Sequence, residues 1–218
     1  MNLINDLVEY KIKQNKGDMV YFYIHIPRTS GTSIKKKLEE YKSESNIITS
    51  SLIECNVYKM FCEQHSRLID LKNQIKNENL QYVKFFTVVR NPYDRLFSLW
   101  SAFKAENYKN ISYSLESFLN ISSSFDEFVQ NYCNSDYDEH YYLESQLFYL
   151  EGEEIENIKI LKYENRNEII TFLNNNGVEY DNTTINRSKD KKISYTETNK
   201  DMIYSKFEDE FLLFNYSK

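Results

Sequence analysis

YFYIHIPRTSGTSIKKKL, residues 21–38, is the stretch from which the rest of the chain can be read. Its first part lies in an apolar run, VYFYIHI (residues 20–26), rich in aromatic and β-branched side chains and long enough for one buried strand of an α/β sheet. Pro27 ends the run. Thr29, Ser30, Gly31, Thr32 and Ser33 then offer hydroxyls and one position without a Cβ, so that backbone N–H groups can turn toward an anion. Ile34, Leu38 and Tyr41 follow at helical spacing. The expected order is strand, anion-binding loop, helix, with the loop at a helix N-terminus, where unpaired N–H groups and the macrodipole favour phosphate or sulfate. Arg28 adds a full positive charge beside it. An ordinary polar strand-to-helix connection shares this outline. A Walker loop does not, because the bracketing glycines and the Gly-Lys-Ser/Thr ending are absent.

Residues 84–100, KFFTVVRNPYDRLFSLW, repeat the grammar. An apolar strand over Val83 to Val89 ends in Arg90, Asn91 is suited to cap, and Pro92 fits the first helical position, where its missing N–H costs nothing. Leu96, Leu99, Trp100 and Phe103 mark the buried face of the helix that follows. Arg90 at the end of one strand and Arg28 just past the end of the other fall on the edge where open α/β sheets bind ligands. The chain has only two prolines, and both stand at these junctions.

Together the two stretches resemble the sulfotransferases that use 3′-phosphoadenosine 5′-phosphosulfate (PAPS), in the branch that includes the carbohydrate sulfotransferases. HIPRTSGTS (residues 25–33) is similar to that family's 5′-phosphosulfate loop, usually written HIPKTGGTS, and FFTVVRNPYDRLFSLW is similar to its 3′-phosphate segment. EQHSRLIDLK (63–72), SFDEFV (124–129), HYYLESQLFYL (140–150) and YSKFEDEFLLFNYS (204–217) resemble later blocks in the same order, so the likeness spans nearly the whole chain. Two positions depart from the pattern: Arg28 stands where the family has lysine, and Ser30 where it has glycine. Arginine keeps the charge and binds oxyanions bidentately, but as a larger fork than an ammonium.

At 218 residues the chain is long enough for one sizeable domain, and residues 1–218 are read as one. The 19 Tyr and 14 Phe supply large surfaces for a core. No run approaches 18 apolar residues, so no membrane span is expected, and the first sixteen residues lack the order of a signal peptide. A net charge of −6 argues against a general nucleic-acid binder, although Arg28, Lys35 to Lys37, Arg90 and Arg95 can still line an anion pocket. Cys55, Cys62 and Cys133 are odd in number and form no CxxC pair, which suits free thiols in a reducing cytoplasm.

Along the rest of the chain, residues 2–15 read as a helix with Leu3, Leu7 and Tyr10 facing inward and Gly17 closing it. Ile47 and Ile48 mark a short strand, and apolar residues recur at helical spacing from Leu52 to Ile75, interrupted at His65-Ser66-Arg67. Residues 104–123 are expected to be a surface excursion. Ser124 and Glu127 suggest a capping box before a helix carrying Phe128, Val129 and Tyr132. NSDYDEH (134–140) reads as a solvated acidic turn, since its spacing matches no metal-ligand motif. Ile155 to Tyr163 reads as a strand, followed by a helix with Ile169, Ile170, Phe172 and Leu173, stopped by Gly177. Residues 181–194, with Arg187, Lys189, Lys191 and Lys192, are either a solvated loop or a flap over bound nucleotide. From Thr196, Ile203, Phe207, Phe211 and Phe214 predict one docking helix.

Apolar strands alternating with helices predict an α/β fold. The resemblance implies a three-layer, P-loop-like domain with a central parallel sheet flanked by helices. It also implies transfer of a sulfuryl group from PAPS to an acceptor hydroxyl, most naturally on a glycan or glycoconjugate, with no metal required. Arg28, Thr29, Ser30, Gly31, Thr32 and Ser33 would hold the 5′-phosphosulfate, and Arg90 and Ser98 the 3′-phosphate. His65 would take the acceptor's proton, a task suited to imidazole near neutrality, with His140 as the substitute; His140 and Gln146 would line the acceptor side. Two other readings fit the same loops: a protein that binds PAPS or its desulfated product without turnover, and a P-loop small-molecule kinase, for which no Walker lysine is present.

Overall fold

A computed structural model describes residues 3–49, 65–104, 122–134, 143–181 and 195–218. Contacts divide the chain into two compact units, Met1–Val89 with Gln146–Asn186 and Arg90–Ser145 with Arg187–Lys218.

The first unit is α/β. Its strands are β1 (Val20–Ile24), β2 (Ile47–Thr49), β3 (Val83–Val89) and β4 (Ile158–Lys162), and among the described residues they form one parallel sheet in the order β2-β1-β3-β4. Tyr23 pairs with Phe86 and Phe22 with Phe85, so successive residues of the two central strands face opposite sides, and both sides are apolar. That is why these strands read as continuous hydrophobic runs rather than as alternating ones. One face carries Tyr23, Ile47, Phe86, Val88 and Leu161; it is covered by Ile34 and Leu38 of α2 (Gly31–Glu40) and by Ile169 and Leu173 of a later helix, Arg166–Asn175. Gly177, at φ 79°, follows that helix as expected.

Helix α1 (Leu3–Gln14) packs against β1, but its inward face is not the expected one. Ile4, Val8 and Lys11 are buried, whereas Leu3 and Tyr10 are exposed. The stripe is shifted by one residue because Lys11 belongs to it. Its ammonium donates to the carbonyls of Lys42 (2.5 Å) and Ser45 (2.8 Å), which satisfies a buried charge, while burial lowers its pKa. Two short helices, α3 (Leu68–Lys72) and α4 (Asn77–Leu80), lie between β2 and β3 in the chain. The expected helical register from Leu52 falls outside the described residues until His65.

The second unit is helical among its described residues. Helix α5 (Pro92–Lys104) begins at the proline, and the Tyr93 N–H donates to Asn91 Oδ1 at 3.0 Å, the predicted cap. Helix α6 (Phe125–Asn134) buries Phe128, Val129 and Tyr132 as expected. Its cap differs from the standard box: Ser124 Oγ accepts from Glu127 N–H at 3.2 Å, but the Glu127 carboxylate accepts from Ser123, at 2.6 Å from its N–H and 2.7 Å from its hydroxyl. With the Arg166–Asn175 helix as α7, the C-terminal segment is two helices rather than one, α8 (Glu197–Lys206) and α9 (Glu208–Leu213). The chain leaves helical geometry at Phe207 (φ −119°), and Glu208, Asp209 and Glu210 form the first turn of α9, where three acids favour a new N-terminus. The apolar period runs through the break, so Ile203, Phe207, Phe211 and Phe214 are all buried. Cys133 is a free thiol that burial pushes up to about 11. Among the described residues no helix is long and apolar enough to cross a membrane.

Candidate functional site

In the first unit, the strand order makes a switch point between β1 and β3. The chain leaves β1 toward β2 on one side, then crosses back to β3 on the other, and ligands of open α/β sheets bind outside the C-terminal strand ends at such a point. The Thr87 hydroxyl donates to the Ile24 carbonyl at 2.8 Å, tying the two strands together at that end. The HIPRTSGTS loop leaves β1 there.

The loop has an unusual backbone. Arg28 (φ 68°) and Ser30 (φ 84°, ψ 9°) both lie in the left-handed region, where a non-glycine residue costs on the order of 1–2 kcal/mol. The fully buried Thr29 is locked between them by its hydroxyl, which donates to the Ile26 carbonyl at 2.9 Å. Ser30 precedes α2 and accepts the first helical bonds from Ser33 and Ile34 through its carbonyl, yet its side chain makes no cap bond. The opening N–H groups of α2 are therefore not satisfied by a capping hydroxyl, which is the arrangement an anion can complete. Thr32 is exposed and Ser33 buried.

Gly31 has a separate reason to be glycine. A Cβ there would overlap the imidazole of His25, which is buried and stacks at 5.8 Å and 16° on Tyr23. On another side the His25 ring meets His65, with centroids 4.2 Å apart at 48°. His65 Nδ1 lies 3.0 Å from the His25 carbonyl oxygen. The first unit thus brings together the loop, His25 and His65. His65 is held by the segment that follows it: Arg67 pairs with Asp70 and Glu151, both at 3.0 Å, and covers the Phe148 ring at 5.2 Å. Lys72 binds Glu153 at 2.7 Å and the Gly152 carbonyl at 3.2 Å. Gly152, at φ 102°, lets the chain pass against Ile69, where a Cβ would stand 2.7 Å from that of Ile69. Gln146, expected on the acceptor side, is fully buried at the head of the 3-10 turn Leu147–Leu150.

Two tyrosines that sequence reasoning did not select also meet this loop. The hydroxyl of Tyr180 is buried beside those of Ser30 and Ser33 without a bond of good geometry; burial raises its pKa, and the two serines and Arg166 oppose the shift. Tyr23 carries a second buried hydroxyl, its pKa also raised by burial and by Tyr180. Tyr180 lies some 150 positions from the loop in sequence, so no local pattern could have found it.

Of the other basic groups, Lys35 pairs with Glu39 at 3.7 Å and Lys37 with Glu40 at 2.8 Å along α2. Those ammonium groups are turned to their own helix.

In the second unit, Arg90 immediately precedes Asn91 and the start of α5, and Ser98 is buried on that helix. Arg95 is buried too, donating to the Glu144 carbonyl at 2.8 Å, which makes it an internal tie. Tyr195 stands near Arg90: its hydroxyl donates to the Tyr93 carbonyl at 3.0 Å, burial and Asp94 raise its pKa, and Arg90 lowers it. His140, residues 135–140 of the expected acidic turn (134–140), 105–121 of the expected excursion (104–123) and 182–194 of the expected basic stretch (181–194) lie outside the described residues.

Compared with protein-family models, with curated proteins and with solved structures, the chain matches none.

Proposed function

We propose that this chain is a PAPS-dependent sulfotransferase with a P-loop-like α/β core, acting on a hydroxyl of a glycan or glycoconjugate. The observation that carries the reading is the HIPRTSGTS loop. It leaves a central parallel strand at the switch point and opens α2 with uncapped N–H groups, a buried glycine and left-handed residues on either side of Thr29. In this reading the loop N–H groups, Arg28, Thr32 and Ser33 bind the 5′-phosphosulfate, and Arg90 and Ser98 bind the 3′-phosphate.

The acceptor oxygen attacks sulfur in line while the bond from sulfur to the bridging oxygen breaks, and 3′-phosphoadenosine 5′-phosphate leaves. As in phosphoryl transfer, catalysis then consists of positioning and of stabilising charge on the transferring group and the leaving oxygen. Positive charge at Arg28 and the N-terminus of α2 serve that charge, and His65 takes the acceptor's proton.

Calorimetric titration of 3′-phosphoadenosine 5′-phosphate without magnesium, with adenosine diphosphate as control, tests the reading. Selective binding is expected, weakened roughly tenfold or more in Arg90→Ala, since a charge-assisted hydrogen bond is worth about 1.5–3 kcal/mol. Equal affinity for adenosine diphosphate, or no binding, would overturn it. A second reading, a PAPS-binding module without turnover, is favoured by Ser30, a left-handed serine where the resembled motif has glycine. It predicts binding without transfer to any acceptor.

A further inference from the structure

We propose that His25 is a positioning residue for His65, its carbonyl fixing the Nδ1–H tautomer of His65 and its ring fixing the orientation, so that Nε2 carries the lone pair.

The tautomer follows from the contact itself. A carbonyl oxygen can only accept, so at 3.0 Å the His65 Nδ1 must be the protonated nitrogen, and in the neutral ring Nε2 is then the acceptor. This is the reverse of the form that dominates in a solvated histidine, so the protein has to impose it. The surroundings of His25 impose it. His25 cannot rotate its carbonyl freely, because it is the first residue beyond β1 and the Thr29 to Ile26 bond closes the turn behind it. Its ring is held between Tyr23 and His65, and only a glycine at position 31 leaves room for it. The two imidazoles are 5% and 9% exposed, which keeps bulk water from exchanging one tautomer for the other.

That Nε2 receives the acceptor's proton rests on the sulfotransferase reading; the tautomer does not. With three histidines in the chain, long-range proton–nitrogen correlation spectra of the nitrogen-15-labelled protein resolve each ring, and His140→Gln helps to assign them. The expected result at neutral pH is a protonated Nδ1 and a bare Nε2 for His65. A dominant Nε2–H form, or averaging between the two, overturns the proposal.

The part played by the ring is tested with His25→Phe and His25→Ala, both of which keep the carbonyl. Phenylalanine should hold the single tautomer. Alanine should shift the His65 nitrogen resonances toward their average, a readout that loss of stability alone does not move. Unchanged resonances in His25→Ala overturn the positioning role. Titrating 3′-phosphoadenosine 5′-phosphate into the same sample separates the two claims. Binding with the wrong tautomer sinks the positioning of His65, and the right tautomer without binding sinks the donor assignment alone.

Discussion

The two proline junctions begin alike and end differently. After β3 only Arg90 and Asn91 intervene before Pro92 opens α5, and the Asn91 side chain accepts from the Tyr93 N–H in an ordinary cap. After β1 the connection runs over residues 25–30; Pro27 opens no helix, two residues are left-handed, and Ser30 leaves α2 without a side-chain cap. One junction caps its helix with a side chain. The other holds two left-handed residues and starts its helix without a side-chain cap, and backbone strain of that kind persists only where the surrounding structure enforces it. In the proposed sulfotransferase reading the β1 junction is the part that meets the sulfuryl group, and the β3 junction contributes Arg90 beside an ordinary helix cap.

The largest effect should come from Gly31→Ala. The added methyl meets the far end of the His25 ring, which would be harmless if that ring could swing, but Tyr23 and His65 hold it. Overpacking of this kind costs about 1–3 kcal/mol, and a drop of several degrees in Tm should be seen in thermal unfolding followed by circular dichroism. A Tm within a degree of the parent would mean that the β1 junction is looser than its packing implies. Next in size is Asn91→Ala, which removes a working cap and should cost about 1 kcal/mol. Ser30→Ala removes a hydroxyl that caps nothing and should leave stability nearly unchanged. Equal losses in the two variants would erase the contrast between the junctions.

Much of this was legible in the sequence because it depends on period and on proline. β3 has the predicted bounds, and Leu96, Leu99 and Phe103 face inward, since buried strands and amphipathic helices write their burial into spacing. The failures share a different physics. Lys11 reads as a solvent-facing residue until the carbonyls of Lys42 and Ser45, more than thirty positions away, receive its ammonium. The break at Phe207 keeps the apolar period and shows only as a cluster of acids. His25 falls within the apolar run expected to be strand, and nothing local announces that its carbonyl and ring will meet His65; Tyr180 likewise comes beside Ser30 only through the fold. Local pattern identified the loop; its supporting shell is built from contacts distant in sequence.

A gain rather than a loss is the most informative test of the β1 junction. Ser30→Gly replaces a left-handed serine by the residue that adopts φ 84° without a Cβ penalty. Relief of about 1–2 kcal/mol of backbone strain is offset in part by the larger entropy that glycine loses on folding, about 0.5–1 kcal/mol, leaving a net gain of up to about 1.5 kcal/mol. For a chain of this size that is a rise in Tm of up to about 6 °C. Asn91→Gly, by contrast, should lose a few tenths of a kcal/mol, because the cap there needs its side chain. If Ser30→Gly gains stability and keeps its affinity for 3′-phosphoadenosine 5′-phosphate, the loop binds through its backbone and the serine is a tolerated departure. If stability rises while affinity falls, the Ser30 hydroxyl, set beside those of Tyr180 and Ser33, is part of the anion's coordination, and the strain at position 30 is retained for it.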